Sequence, residues 1–360
     1  MLKKIDIYII KKFLGTFFFT LLLVICVIIV FDISEKLEDF IKNEAPLKAI
    51  IFDYYLNLVP YFANMLSPLF IFISVIFFTS KMASNSEIVA ILSGGVSFKR
   101  MLRPFLICAL VLATLSFYLN NFLIPDANKN RLAFEEVYYR NKLRNFAQDI
   151  HMKINDNTYI YMSNFVVDLN LGNNFSIERF NEDNELEYKL LSDNVKWDST
   201  QSKWSISNYV ERHIDGLNET ITKGIKKDTT LNLKPEEFKR RKNHIIAMDL
   251  FELNDFIEEE EFKGSQQIVS CKVVKQQRAA YPFATFILTI IGVSISSRKV
   301  RGGIGLHIFL GLLISFSYIL FMRISSTFAI NSGFPVIIAV WIPNILYALL
   351  AFYLLKKAPK

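Results

Sequence analysis

The stretch Ser84–Ser97, SNSEIVAILSGGVS, is a polar-edged segment set between two long apolar runs. Ser84-x-x-Glu87 has capping-box spacing: the serine hydroxyl accepts a bond from the third helical N–H while the glutamate reaches back to the cap. Ile88, Ile91 and Leu92 follow at i, i+3 and i+4 as a narrow apolar stripe, and Gly94-Gly95 supplies the left-handed positions that stop a helix. A helix this short is marginal alone. It must lean on the neighbouring apolar helices or on another protein.

Working outward, the chain has 360 residues, 52% of them hydrophobic, with 33 Phe and a mean hydropathy of +0.29. That composition is a membrane protein's. Six stretches free of charge are long enough to span a hydrocarbon core: Phe13–Phe31, Tyr54–Ser80, Pro104–Pro125, Ala279–Ser297, Gly302–Met322 and Ile324–Leu355. An even count puts both termini on one side. The short basic groups around Lys3, Lys81, Arg298 and Lys356 all fall on that side, which the positive-inside rule makes cytoplasmic. Ser84–Ser97 is therefore expected in the cytoplasm, and the N-terminal run reads as a retained anchor, since no small-residue cleavage site follows it.

Between the third and fourth spans lies one large polar segment, Pro125–Arg278, expected outside the cytoplasm. It holds more Asp and Glu than Lys and Arg, so the formal charge of +7 belongs to the membrane part. A nucleic-acid reading loses its main support. Thr158–Asp168 is rich in strand formers, Val195/Trp197 and Trp204/Ile206 keep period two, and Asp215-Gly216 is a hairpin signal. An antiparallel meander closing as a sandwich or jelly roll is the economical fold. Beyond Pro235 the pattern turns helical: Asp249-x-x-Glu252 opens one helix, and a second follows Gly264 toward the fourth span. The expected class is thus an α+β membrane protein, with spans one to three in 1–124, an inserted β domain in 125–278 and spans four to six in 279–360.

No GxxxxGK[ST] phosphate loop, GxSxG or HExxH occurs. Cys26, Cys108 and Cys271 are far apart, and the four histidines lack ligand spacing, so neither a disulfide framework nor a metal site is expected. The spans carry no acidic relay, and His307 reads as an interfacial polar residue. No catalytic constellation is visible, so any energy source is expected in a partner. Pro60 and Pro68 predict a bend in the second span, and Phe17–Phe19 with Leu21–Leu23 read as lipid-facing or packing residues.

In their order these features resemble the LptF/LptG permease family of bacterial lipopolysaccharide export. The likeness is carried by Ile5-Asp6-x-Tyr8, the Ser86-Glu87 to Gly95-Val96-Ser97 loop, Pro125, the β insertion, Arg278-x-x-x-Pro282, the Arg298–Gly303 loop and Trp341-Ile-Pro343-Asn344. The resemblance implies a non-enzymatic inner-membrane permease subunit of an ABC transporter. It implies pairing with a second LptF/LptG-type permease and with an LptB-type ATPase dimer that consumes the ATP; no cofactor is expected on this chain. Lipopolysaccharide would leave the membrane through a periplasmic jellyroll-like domain toward LptC and LptA. The loop between spans two and three would be the coupling helix, with Glu87, Ile88, Ile91, Gly94 and Gly95 at the ATPase. Lys36, Lys129, Arg131 and Arg323, read at the outer helix ends, are the candidates for lipid phosphates. The competing reading is a membrane-anchored β scaffold or assembly factor without transport.

Overall fold

The computed structural model describes residues 3–138, 146–231, 233–235, 238, 242–265, 267–298 and 303–358. The chain forms two compact units, Met1–Tyr139 with Lys272–Lys360, and Arg140–Cys271.

The first unit is helical. Helix α1 (Lys4–Lys42) is followed by a single turn (Leu47–Ala49), a π-helical turn (Ile50–Tyr55), α2 (Leu56–Ser84), the short α3 (Glu87–Ser93) and α4 (Phe98–Tyr118). A second π-helical turn (Leu119–Leu123) leads into α5 (Ile124–Tyr138). After the inserted unit, α7 (Ile268–Ser296), α8 (Gly303–Ser332) and α9 (Val336–Lys357) complete it. Among the described residues, six helical stretches are long and apolar enough to cross a membrane. Along α1, Ile9, Phe13, Phe17 and Leu21 recur every fourth residue and are buried, while Phe18, Phe19, Leu22 and Leu23 are exposed. One stripe packs and the remainder is apolar surface suited to lipid.

Two boundaries differ from the sequence reading. Pro125 does not end the third span; it lies in the first turn of α5, where its missing N–H is tolerated behind the π-helical turn. The β region accordingly begins later than expected, at Phe146. Arg323 does not separate spans five and six but lies inside α8; the break comes at Gly333 (φ 65°) and Pro335, the N-cap of α9. A lone cation on a long stem leaves helical hydrogen bonding intact, whereas a left-handed glycine followed by proline does not.

Close packing joins α2, α7 and α8. A Cβ on Gly311 would lie 2.4 Å from Ile76 Cδ1, and one on Gly292 would lie 2.9 Å from Val75 Cγ1. Gly311→Val is expected to cost about 1–3 kcal/mol through overpacking. The check is a lowered thermal midpoint in detergent, with Gly305→Val, where a Cβ meets nothing within 4 Å, as the neutral comparison. Helix α9 is tied in by polar bonds. Pro343 leaves the Ala339 carbonyl without its helical donor, and the Ser325 hydroxyl of α8 takes that place. Asn344 accepts from Tyr318 Oη at 2.8 Å and donates to the Ala280 carbonyl of α7 at 3.1 Å.

Among the described residues, the second unit is built on six strands: β1 (Phe146–Asn155), β2 (Thr158–Val166), β3 (Leu171–Phe180), β4 (Leu186–Asp198), β5 (Lys203–Asp215) and β6 (Asn218–Thr229). Each pairs antiparallel with the one before, giving one sheet in sequential order. Its core holds Ile160, Phe165, Phe175, Leu190, Val195 and Trp204. Glu211 is buried between Tyr188, which donates to it at 2.7 Å, and Lys227. Burial alone would raise its pKa; the Lys227 and Tyr188 bonds outweigh that and hold it below the usual glutamate value. Helix α6 (Leu250–Phe262) opens with the expected capping box, in which Asp249 accepts from Phe251 N and Glu252 N while Glu252 reaches back to Asp249 N.

Candidate coupling site

The capping box expected at Ser84 does not form. Ser84 is the last residue of α2, still helical, and a cap needs extended backbone. Asn85 and Ser86 make the turn, with Ser86 left-handed at φ 62°, its hydroxyl making no cap bond, and Glu87 becomes the first residue of α3. The Glu87 carboxylate is thereby released from capping. It accepts from Tyr8 Oη at 3.3 Å and from Asn85 Nδ2 at 3.2 Å.

At its other end α3 closes as a Schellman motif. Gly95 N donates to the Leu92 carbonyl at 3.0 Å and Val96 N to the Ile91 carbonyl at 3.3 Å. Only Gly95 (φ 81°) needs the left-handed region; Gly94 sits at φ −75°. Ser97 then caps α4 by accepting from Arg100 N.

The apolar stripe turns inward. Ile88 is 1% exposed and packs with Met82, Phe98 and Met101, and Ile91 and Leu92 lean on the same cluster. Ile88 therefore cannot touch a partner, contrary to its expected place on the docking face. What α3 leaves exposed is Val89, Ala90, Ser93 and the two glycines, with Glu87 half-buried at the rim. The short helix leans on its own membrane helices through one face and is free on the other.

The N-terminus of α1 clamps both sides of this loop. Arg100 Nη1 and Nη2 donate to Asp6 Oδ1 and Oδ2 at 2.7 and 2.6 Å, a bidentate pair, and Lys3 N adds a third bond to the same carboxylate at 2.7 Å. Tyr8, two residues on, holds Glu87 and sets its ring edge against Phe78, centroids 6.1 Å apart. In the sequence Asp6 and Tyr8 stand out only as part of the Ile5-Asp6-x-Tyr8 motif, and Arg100 is one basic residue among several in the loop after the second span. Their signal was the single acid in a basic N-terminus.

The head-group candidates are dispersed over α1, α5 and α8. Lys36 pairs with Asp32 at 2.6 Å and bonds Tyr54 Oη, while Tyr55 donates to the other Asp32 oxygen at 3.0 Å. Its side chain is 14% exposed, so the ammonium is already engaged. Arg131 lies 3.7 Å from Glu135 and over the Tyr61 ring. Lys129 is 3.5 Å from Asp126 and more open, and Arg323 is exposed on α8. His307, read as interfacial, is 4% exposed, with Nε2 3.1 Å from the Arg298 carbonyl. Arg298 in turn donates to the Lys357 carbonyl at the end of α9. Residues 299–302 of the loop quoted above, and Lys360, lie outside the described residues.

Compared with protein families, the chain matches the model for the lipopolysaccharide export system permease LptF/LptG over residues 7–357. No curated protein sequence matches it.

Proposed function

Because the chain belongs to the LptF/LptG family of lipopolysaccharide export permeases, we propose that it is the transmembrane subunit of an ABC transporter in the bacterial inner membrane. In this reading it pairs with a second permease of its kind, takes energy from an LptB-type ATPase dimer and delivers lipopolysaccharide to LptC- and LptA-type proteins. Both termini and α3 would face the cytoplasm and the β unit the periplasm.

The observation that carries the reading is the two-faced α3: anchored through Ile88, clamped to α1 through Glu87, and exposed along Val89, Ala90 and Ser93. A groove on an ATPase pressing on that face moves α3 together with α1 and α4. The lack of a phosphate loop in the sequence agrees with energy supplied in trans. Strand β6 pairs with β5 and is exposed along nearly its whole length, a backbone edge onto which a further strand can add.

Glu87→Arg is expected to lower stimulation of the co-purified ATPase at least tenfold, about 1.4 kcal/mol, with the complex still assembled. Unchanged stimulation in an intact complex would sink the coupling role.

A further inference from the structure

Between the ends of the sheet, strand after strand breaks its in–out alternation at the same level. Inward-facing residues otherwise two apart become three apart: Met162 and Phe165 in β2, Gly172 and Phe175 in β3, Ser192 and Val195 in β4. Strand β5 does the same between Ile206 and Tyr209, both of which join the core cluster. The intervening pairs are Ser163-Asn164, Asn173-Asn174, Asp193-Asn194 and Ser207-Asn208. They are in register, with Asn164 opposite Asn173, Asn173 opposite Asn194, and Asn194 opposite Ser207. A belt of short polar residues therefore crosses the sheet.

Part of the belt serves the backbone. Asp149, Asn174 and Asn208, on β1, β3 and β5, have φ of 49°, 50° and 50°. Asn and Asp enter that region more readily than other side chains. Of the eight belt residues this accounts for Asn174 and Asn208; Asn173 Nδ2 donates to Asn164 Oδ1 at 2.8 Å, and Asp193 has no backbone reason of this kind. Such irregularities re-aim side chains, and they concentrate beside binding sites.

Against the belt, on the sheet face opposite the core, lies a groove of about 590 Å³. His151, Tyr159, Tyr161, Leu191 and Val210 give it flat apolar surface, and Asn174, Asp193 and Asn208 give it a polar wall. The Tyr161 and His151 rings lie against each other at a tilt of 42°, centroids 4.7 Å apart. The groove's one lysine is neutralised: Lys189 Nζ lies 2.7 Å from Glu178 Oε1. Asn208 Nδ2 donates to Asp193 Oδ2 at 3.1 Å, which fixes both side chains.

This chemistry selects a ligand class. A phosphate needs uncompensated cations, and among the described residues the lining offers no Lys or Arg besides the paired Lys189. An acyl chain would strip water from the amides and carboxylates without replacing it. A sugar ring matches on both counts, with C–H faces for the tyrosines and hydroxyls that donate and accept, as Asn amides do. We infer that this groove binds a saccharide. The ligand is either the oligosaccharide of a glycolipid or a glycan strand of the cell envelope, and the site stands apart from the coupling reading.

The test is saturation-transfer NMR on the full-length protein in nanodiscs. The probes are lipopolysaccharide oligosaccharide freed of lipid A, peptidoglycan glycan strands, and lipid A alone. One of the two saccharides is expected to bind through its ring protons, and which one does identifies the source. Tyr161→Ala and Leu191→Arg, both away from the core, are each expected to weaken binding at least tenfold, with amide exchange of β4 and β5 unchanged. Binding by lipid A but neither saccharide, binding by no probe, or wild-type affinity in both variants overturns the inference. ATPase stimulation is expected to stay at the wild-type level in both variants, so failure here and failure of the coupling reading are separate results.

Discussion

Arg100→Leu is expected to loosen the N-terminus of α1 from the α3–α4 loop and to depress ATPase stimulation, although position 100 lies outside the exposed face of α3. Asp6 is 3% exposed and accepts three bonds, two of them from Arg100. Removing one partner of a fully buried ion pair costs about 3–5 kcal/mol, because the other charge is left without compensation. Here the Arg100 side chain is 26% exposed, so water enters and screens the pair, and the expected cost is well below that of a fully buried one. Arg100→Lys keeps the charge but loses the two-pronged geometry and should fall between. The decisive comparison is the reciprocal pair Asp6→Arg with Arg100→Asp. If the clamp acts through these two groups, the double variant recovers stimulation and slow amide exchange in the first turns of α1 beyond what either single change allows. Equal losses in the single and double variants would show that the pair is not the link.

The two capping-box patterns show what was and was not legible in the sequence. Asp249-x-x-Glu252 and Ser84-x-x-Glu87 have the same spacing and opposite outcomes. Asp249 itself has extended backbone, so its side chain is free to cap. Before Ser84 runs a long apolar helix whose hydrogen bonding carries through the serine, leaving only Asn85 and Ser86 to turn. A short motif is outweighed by the helix it ends. The spans, the β insertion and the hairpin of β5 and β6 follow from period and turn chemistry, which are local, although the two-residue link is Gly216-Leu217, one position beyond the Asp215-Gly216 signal, because Asp215 still pairs with Asn218. Arg323 and Pro125 misled for the same reason: each marks a boundary in isolation, and each is absorbed when the helix around it is long.

The candidate coupling site divides in the same way. Glu87 stands out through its capping-box spacing and through the resemblance to the permease family. The inward turn of Ile88 was not visible, since a stripe reads identically whether it faces the parent helices or a partner. Asp6 and Arg100 are 94 positions apart, and nothing local joins them. The polar belt of the sheet was spelled out as Ser-Asn, Asn-Asn, Asp-Asn and Ser-Asn, but its meaning depends on register, which aligns the four pairs only once the strands are laid side by side.

Trp204→Ala is expected to be the most damaging single change in the β unit. Its side chain is fully buried, its ring meets Phe165, Trp197 and Phe238 edge-on, and its indole Nε1 donates to the Leu233 carbonyl at 2.9 Å. Truncating a buried aromatic of this size costs about 3–5 kcal/mol. Trp204→Phe keeps much of the volume but strands the Leu233 carbonyl, for about 1–3 kcal/mol. Hydrogen–deuterium exchange on the full chain separates the alternatives. Faster exchange confined to β2–β5, graded Ala above Phe, is expected, with α2, α7 and α8 keeping their protection because their core is a separate cluster. Acceleration throughout the membrane helices would mean that the two units unfold as one and that the independence of their cores is only geometric.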